Sequence, residues 1–430
     1  MTETGGVWAA GVEAALPSGD SSVGFLTSVS CASAGNCVAV GDYLDPASGD
    51  QGLLLTETDG SWAAGVEAAP PANARTAFPG GPEVVLDSVS CPSAGNCSAV
   101  GSYDHSLNTP LGLLLTETGG KWAPGVEATL PANAPATGQT AGLDSVSCAS
   151  AGNCSGVGGY LDKSGNSQGL LVTQTAGSWS TGVDATLPAN AAANQLAGFG
   201  SVSCASAGNC DAVGGYRDSS GNSQALLVTE TAGSWAAGAE AVLPADAATT
   251  NQNAFLNSVS CASAGSCSAV GSYSDGAGGS QGLLLTESGG RWSAGVEAGL
   301  PAKASTTNPD PFLTVSCAGA GNCSAVGSFI ERSGDYQGLL LTETAGSWET
   351  GVEATPPANA AKPLCLVPKL KGKTLKAAKR SIRSRNCTLG RVRHATSRRI
   401  KKGRVISQKP RAGKQLKHGA KVNLVVSRGP

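Results

Sequence analysis

The sequence predicts a mainly β protein: a β-propeller of six complete four-stranded blades and an N-terminal half-blade, followed by a small α+β domain. Two observations support the propeller, because seven tryptophans recur at intervals of 54 to 60 residues and six cysteine pairs recur with them. The distribution of charge separates the C-terminal domain from these repeats. The tryptophans are Trp8, Trp62, Trp122, Trp179, Trp235, Trp292 and Trp348.

Each repeat unit contains four short segments rich in Val, Leu, Cys or Trp, and Gly, Asn, Ser or Asp separate them. Such segments are typical of four strands joined by tight turns. The unit is longer than most propeller repeats, and the excess lies in the linker after the tryptophan segment, for example residues 187–198. A closed ring of blades leaves only short sheet edges, which favours a propeller. An open β-solenoid or a string of small sandwiches is the alternative.

The chain begins inside a repeat unit. Six complete units follow residues 2–13, which match only the second half of a unit, and Met1 stands where other units have a strand leucine such as Leu55. We expect a misassigned start or a truncated N-terminus that omits an upstream segment with an export signal, and the alternative is a half-blade that closes the ring. The blade number is accordingly six or seven. The complete units start near Leu26, Leu86, Leu143, Phe199, Leu256 and Leu313.

The six cysteine pairs share one spacing, with five residues between the two cysteines. Cysteines that flank a hairpin loop face each other at the short Cα separation that a disulfide requires. Two thiolates without a nearby His or third Cys cannot complete a tetrahedral metal site, so we predict disulfides, no metal and an oxidising compartment. The pairs are Cys31–Cys37, Cys91–Cys97, Cys148–Cys154, Cys204–Cys210, Cys261–Cys267 and Cys317–Cys323.

Two acidic positions recur along the repeats. Catalysis by carboxylates requires a pair at one place with separated pKa values. Copies in nearly every unit instead fit charges on outer strands that discourage association between sheet edges, so we predict no catalytic residues in the propeller. One series is Glu13, Glu67, Glu127, Asp184, Glu240, Glu297 and Glu353; the other is Glu3, Glu57, Glu117, Glu230, Glu287 and Glu343, with Gln174 in one unit.

Two kinds of turn in the repeats resemble functional loops. Segments 162–166 and 218–222 are similar to calcium loops but lack the later bidentate Glu, so hairpin turns explain them. Segment 56–62 resembles the Asp-box of sialidase-like propellers, although Thr58 replaces the Asp and the spacing to Trp62 is one residue shorter. This resemblance implies the propeller fold and no sialidase activity.

The C-terminal region differs in charge from the rest of the chain. Residues 1–361 contain 7 Lys or Arg and 31 Asp or Glu, whereas residues 362–430 contain 22 Lys or Arg and no acidic residue. We divide the chain into repeats 1–355, a Pro/Ala linker 356–364 and a domain 365–430. The chain contains no run of 18 apolar residues, so we expect no membrane-spanning helix.

The C-terminal domain reads as one helix and three strands. Thr374 is a plausible N-cap, and Leu375, Ala378 and Ile382 fall on one helix face. Three segments with strand character follow, at 387–392, 404–408 and 421–427. A core this small benefits from a covalent link, and the two remaining cysteines, Cys365 and Cys387, can supply it.

Several short motifs occur along this domain: Val367-Pro368, Leu370, Gly372, Thr374, Ala377-Ala378, Leu389-Gly390, Val405 to Gln408, Pro410, Gly413, Gly419, Val422 and Ser427 to Gly429. With these motifs the domain resembles the PASTA domain, the module appended to bacterial penicillin-binding proteins and receptor Ser/Thr kinases. The resemblance covers residues 367–429, about a seventh of the chain, and implies binding of peptidoglycan fragments.

Basic side chains on the predicted helix and on one loop form a candidate contact surface for a polyanion. Nucleic acid is disfavoured as the partner because residues 362–430 contain no aromatic side chain that could stack on bases. Peptidoglycan or another anionic cell-wall polymer is favoured, and a merely solubilising basic surface is the alternative. The candidate residues are Lys373, Lys376, Arg380, Arg383, Arg398, Arg399, Lys401 and Lys402.

These features predict a secreted bacterial binding protein, located outside the cell or in the cell wall. Its PASTA domain would bind peptidoglycan, its propeller would present an interaction surface for an unknown ligand, and no cofactor is expected. One alternative is that the propeller is an enzyme, a glycan hydrolase or lyase, which the PASTA domain directs to the wall. Another is a general polyanion-binding protein whose basic region does not recognise muropeptides.

Overall fold

The computed structural model describes residues 3–4, 7–8, 11–17, 24–45, 49–75, 83–106, 109–355, 364–417 and 419–429. The chain forms two compact units, Met1–Ala354 and Thr355–Pro430. All of the predicted linker except residue 364 lies outside the described residues.

The first unit is a series of six four-stranded antiparallel sheets, blades 1 to 6, which confirms the predicted β-propeller-like repeats. The first strands are Gly24–Ser33, Val84–Ser93, Ala141–Ser150, Gly198–Ser206, Phe255–Ser263 and Phe312–Gly319. The second strands are Asn36–Asp45, Asn96–Ser106, Asn153–Leu161, Asn209–Arg217, Ser266–Ser274 and Asn322–Ile330. The third strands are Gly49–Thr58, Thr109–Thr118, Ser167–Thr175, Ser223–Thr231, Ser280–Ser288 and Tyr336–Thr344.

The fourth strand of each blade is divided into two short segments that both pair with the third strand. In blade 2, for example, Trp122 is opposite Glu117 and Val126 is opposite Leu114. The segments are Ser61–Trp62 and Val66–Glu67, Lys121–Trp122 and Val126–Glu127, Ser178–Trp179 and Val183–Asp184, Ser234–Trp235 and Ala239–Glu240, Arg291–Trp292 and Val296–Glu297, Ser347–Trp348 and Val352–Glu353.

The N-terminal half-blade is present as two short strands, Glu3–Thr4 and Val7–Trp8. Glu3 is paired with Trp8, in the register that joins Glu57 to Trp62 in blade 1. The half-blade therefore contains the ends of a third and a fourth strand, as predicted.

Both faces of a blade are apolar, and where two blades are neighbours each covers the facing surface of the other. Between blades 1 and 2, Val40 and Leu54 of blade 1 belong to the same buried cluster as Leu86 and Val89 of blade 2. Strands covered on both faces need continuous apolar runs rather than a strict alternation. This requirement explains the Ala-Val and Leu-Leu-Leu runs in the central strands of the repeat.

Glycine in the second strand allows a bulge in the first strand to approach it. The pairing of blade 2 shifts register between Leu86 and Ser88, and a Cβ atom at Gly101 would collide with the Val85 carbonyl oxygen. The glycine of the Ala-Val-Gly motif is therefore a steric requirement of the blade.

The serines of the Ser-Val-Ser-Cys motif connect each blade to the next. The Val89 amide donates to Ser28 Oγ at 3.2 Å, and the Cys91 amide donates to Ser30 Oγ at 2.9 Å. The same two bonds recur at the other four junctions between successive blades. Since these amides lie between two sheets, the serine hydroxyls supply acceptors that a sheet ladder does not provide.

All seven predicted disulfides are present in the structure. In the blades the two cysteines are directly opposite each other on the first and second strands, as Cys148 and Cys154 are. The loops that resemble calcium sites are closed by their own aspartates, because Asp162 Oδ1 accepts from the amides of Ser164 and Asn166. These hydrogen bonds hold the pKa of Asp162 at about 2.

The second unit contains one helix, Leu375–Arg383, and the strands Cys365–Leu366, Thr388–Ala395, Val405–Lys409, Gln415–Leu416 and Lys421–Ser427. Lys421–Ser427 is central in a three-stranded sheet, parallel to Thr388–Ala395 and antiparallel to Val405–Lys409. Within the described part of the chain, no helix has the length and apolar character needed to span a bilayer.

We predict that Ser147→Ala lowers the free energy of unfolding by about 1 kcal/mol, because the Cys204 amide loses its acceptor at 2.9 Å. Ser316→Ala is the matched control, since among the described residues the equivalent hydroxyl of blade 6 accepts no amide from another blade. Denaturant unfolding measures both variants. Equal destabilisation by the two substitutions would contradict a role for the serine bonds at the junctions.

Candidate functional site

The third-strand acidic side chains of the described blades are buried, whereas the side chain of Glu3 lies outside the described residues. The members Glu57, Glu117, Glu230, Glu287 and Glu343, together with Gln174, are 1–3% exposed. The interpretation of these residues as charges that keep sheet edges apart is therefore wrong. Ser155 Oγ of blade 3 donates to Glu230 of blade 4 at 3.0 Å, so the carboxylate accepts a bond across the junction. A buried carboxylate requires such donors.

The acidic series in the fourth strands fixes the linkers between the blades. In blade 2 the Tyr103 hydroxyl donates to Glu127 Oε2 at 2.9 Å, and Asn73 Nδ2 of the preceding linker donates to the same oxygen at 2.6 Å. In blade 6, Phe329 replaces the tyrosine, and Lys303 replaces the asparagine and forms a 2.9 Å ion pair with Glu353. In blades 2, 3, 4 and 6 these carboxylates therefore attach the preceding linker, whereas in blade 5 the Tyr273 hydroxyl donates to Asp246 of the linker instead.

At the junction of blades 4 and 5, two buried acids lie near each other. Ser98, Ser155 and Ser268 face the third-strand acidic or amide side chain of the next blade, but blade 4 has Asp211 at this position. The facing residue is Glu287, whose pKa is raised to about 7 by burial and then by the charge of Asp211. Glu287 Oε2 is buried and has no hydrogen-bond partner in the described structure.

Sequence analysis missed this pair, because its members are 76 residues apart in adjacent units. The signal was available in the replacement of a recurring serine by Asp211. Asp211 and Glu287 are 5% and 3% exposed, so neither carboxylate is open to a substrate from solvent. Burial and the nearby charge of Asp211 favour the protonated form of Glu287 inside the junction, which differs from an open catalytic site.

The second unit has an apolar face and a cationic face on the same sheet. Thr374 caps the helix by accepting from the Ala377 amide at 3.3 Å, and Ala378 and Ile382 are buried beneath the helix. The sheet contributes Val422 and Leu424 to this core. Because successive side chains of a strand point to opposite faces, the residues between them face away from the helix.

The face away from the helix forms an open groove of about 560 Å³. The Arg391 amide donates to Asn423 Oδ1 at 2.7 Å, which positions Asn423 at the bulge between the two parallel strands. Lys409 is opposite Asn423, and Arg393 is paired with Val425. The groove is lined by Arg391, Arg393, Ser407, Gln408, Lys409, Lys421, Asn423, Leu424 and Val425.

Four cations in this groove have no acidic neighbour within the unit, because residues 362–430 contain no Asp or Glu. Arg391 and Arg393 offer planar guanidinium groups for bidentate bonds to carboxylate or phosphate, while Lys409 and Lys421 add point charges. The charged side chains that line the groove are all cationic, so its electrostatics favour binding of an anion.

Residues 366–428 match the family model of the PASTA domain. Residues 366–428 are a PASTA domain. The match confirms the resemblance found in the sequence, and it covers the helix and the three-stranded sheet described above.

A curated relative shares this domain. Over 64 residues the chain is 41% identical to a probable serine/threonine-protein kinase of Clostridium acetobutylicum. The match covers 15% of this chain and 10% of the kinase, so this chain spans about a tenth of the length of the curated relative.

The repeat region is similar in strand arrangement to solved structures of other proteins. Three of them are AofleA from Arthrobotrys oligospora (11% identity, TM-score 0.39, 77% of this chain and 86% of that chain), SapL1 lectin in complex with alpha methyl fucoside (12%, 0.39, 78% and 97%) and the β-propeller domain of the Trilobed protease from Pyrococcus furiosus (7%, 0.40, 76% and 84%). The blade architecture rests on the strand pairing of this chain, and these proteins add nothing about its ligand.

The eight basic residues predicted as polymer contacts are all exposed in the PASTA domain, but none of them lines the groove. They belong to the helix with its preceding turn and to the loop before Val405. Sequence analysis missed Arg391, Arg393, Lys409 and Lys421, although their signal was present in the strand pattern. They alternate with, or lie opposite, the buried strand residues.

We predict that Glu287→Gln raises the free energy of unfolding by about 1 to 3 kcal/mol at pH 8 and has little effect at pH 4.5. The folded-state pKa of about 7 exceeds the ordinary value of 4.5, so Glu287 reduces stability as the pH rises from 4.5 to 7. Glutamine fits this position, since Gln174 of blade 3 donates to Thr116 Oγ1 at 3.1 Å.

The reciprocal substitution Gln174→Glu is the control for Glu287→Gln. It is expected to destabilise the protein at pH 8 and to be nearly neutral at pH 4.5, because only the ionised form is penalised by burial. Thermal unfolding of both variants across this pH range supplies the measurement. An effect of Glu287→Gln that is the same at both pH values would refute the assignment.

Proposed function

We propose that this chain is an extracellular, cell-wall-associated binding protein of a bacterium. Its PASTA domain holds peptidoglycan, and its propeller is a rigid scaffold that presents a surface to a further ligand. The observation that carries the proposal is the groove on the open face of the PASTA sheet, with Arg391, Arg393, Lys409 and Lys421 around Asn423.

The chemistry of the groove supports an anionic polymer as ligand. Peptide stems of peptidoglycan carry carboxylates, and two guanidinium groups in adjacent positions can bind a carboxylate through paired hydrogen bonds. Asn423 adds an amide group at the centre, and the half-buried Val425 adds an apolar surface to the groove. PASTA domains are generally associated with peptidoglycan or cell-wall peptides, which agrees with this ligand class.

The disulfides support a location outside the reducing cytosol. Every described cysteine is paired, and six of the seven disulfides belong to a repeated hairpin. Regular disulfides persist in oxidising compartments and are rare in the cytosol. Binding rather than turnover is proposed for the whole chain, and release of soluble fragments from intact peptidoglycan by the purified protein would contradict it.

We predict that a variant with Arg391, Arg393, Lys409 and Lys421 all changed to Gln loses roughly thirtyfold to several hundredfold in affinity for isolated peptidoglycan. Each exposed charged contact contributes about 0.5 to 1 kcal/mol. Co-sedimentation of the full chain with purified peptidoglycan at physiological salt measures the loss. Because all four side chains are exposed, the fold is expected to remain intact.

A second variant with Lys376, Arg380, Arg398 and Arg399 changed to Gln is the matched control, because it removes the same charge from the helix and loop. Its affinity is expected to stay near that of the parent. Equal loss in both variants would show that total charge, and not the groove, binds the polymer. Competition by soluble muropeptide separates recognition of peptidoglycan from general attraction to polyanions.

A further inference from the structure

The first and last blades expose the surfaces that every other blade buries. Val100, Val157, Val213 and Val270 are 0% exposed, whereas the equivalent Val326 of blade 6 is 49% exposed. Leu340 of blade 6 is 42% exposed, although its equivalents in blades 2 to 5 are at most 4% exposed. Blade 6 therefore presents the face that other blades offer to their successor.

Blade 1 presents the complementary face. Its Leu26 is 54% exposed and its Val29 is 61% exposed, whereas Leu86 and Val89 of blade 2 are 0% and 5% exposed. At the junction of blades 1 and 2, Val40 and Leu54 lie in one buried cluster with Leu86 and Val89. The first two are equivalent to the exposed Val326 and Leu340 of blade 6, and the last two are equivalent to the exposed Leu26 and Val29 of blade 1. The chain thus carries both halves of one interface, and each half is open.

The hydrogen bonds of the junctions are open at the same two faces. At the five internal junctions, two serine or threonine positions of one blade face two amides of the next. In the part of the chain that the structure describes, the amides of Val29 and Cys31 have no such hydroxyl, and the hydroxyls of Thr314 and Ser316 receive no such amide. The apolar and the polar halves of the interface are therefore both unpaired.

The segment after the half-blade is already in place on blade 1. The Gly65 amide donates to the Ala15 carbonyl at 2.6 Å, as the Gly125 amide donates to Ala69 in the next blade. Ala14 and Leu16 pack against the core of blade 1. Direct closure of blade 6 onto blade 1 would bring a second linker to the surface that residues 14–16 occupy, so it does not fit this arrangement.

We propose that the exposed faces of blades 1 and 6 form a docking site for a polypeptide with the first three strands of this repeat, which completes a seventh blade on the half-blade. Such a segment offers Val and Leu to both faces, a Ser-x-Ser pair to the amides of Val29 and Cys31, and amides to Thr314 and Ser316. The half-blade supplies the missing remainder, because Glu3–Thr4 and Val7–Trp8 pair as the third and fourth strands of a blade do.

The test fuses a second copy of residues 140–171 directly before Met1, since Val172 of blade 3 corresponds to Met1 in the repeat. We expect the midpoint of thermal unfolding of the full chain to rise by roughly 5 °C, because a buried interface replaces two exposed apolar faces. A fusion whose added copy carries Leu143→Asp and Val146→Asp is the matched control and should give no rise. An unchanged midpoint in the unmodified fusion would overturn the proposal.

Val326→Asp separates docking from a general effect of the added residues. In the parent chain the substitution should leave the midpoint nearly unchanged, because Val326 is 49% exposed, but in the fusion it should remove most of the gain. Equal destabilisation of parent and fusion would count against the proposed site. Light scattering of the parent completes the test: oligomers that Val326→Asp dissolves would identify a second copy as the occupant and overturn the proposal.

Discussion

The junction between blades is the interaction on which the repeat region depends. A single sheet of this sequence has apolar side chains on both faces and cannot cover either of them itself. Leu114 is 2% exposed because blade 3 covers it, while the equivalent Leu340 at the end of the series is 42% exposed. Contacts between neighbouring blades therefore stabilise the repeat region, and each blade depends on its neighbours to cover its apolar faces.

Burial between two blades also explains the polar side chains at the junctions. Amides and carboxylates that are enclosed between two sheets need partners, and Ser30, Ser155 and the Tyr103–Glu127 contact provide them. The repeat tolerates Gln174 in place of a glutamate because its amide oxygen accepts from Ser98 and its nitrogen donates to Thr116 across the junction. Asp211 is the departure that places two acids near each other, and its charge adds to burial in raising the pKa of Glu287.

The two faces of the PASTA sheet differ: one packs against the helix, and the other lines the groove. Its helix face is apolar and closed, so the opposite face remains free for a ligand. Since no acidic residue occurs in residues 362–430, the cations of the groove are not neutralised by their own domain. The proposed function thus rests on a charge pattern that the fold concentrates on one face.

The sequence by itself determined the repeat, the half-blade, the seven disulfides and the PASTA domain, because these depend on local spacing and on residue types that each strand and turn requires. Only the tertiary structure decided where the charges act. Glu230 and Glu343 became internal acceptors because a serine of the preceding blade faces each of them, and Asp211 met Glu287 because adjacent units stack in register. Arg391 and Lys421 line one groove because a parallel strand pair brings distant segments of the chain together. A local sequence pattern does not specify such contacts between distant segments.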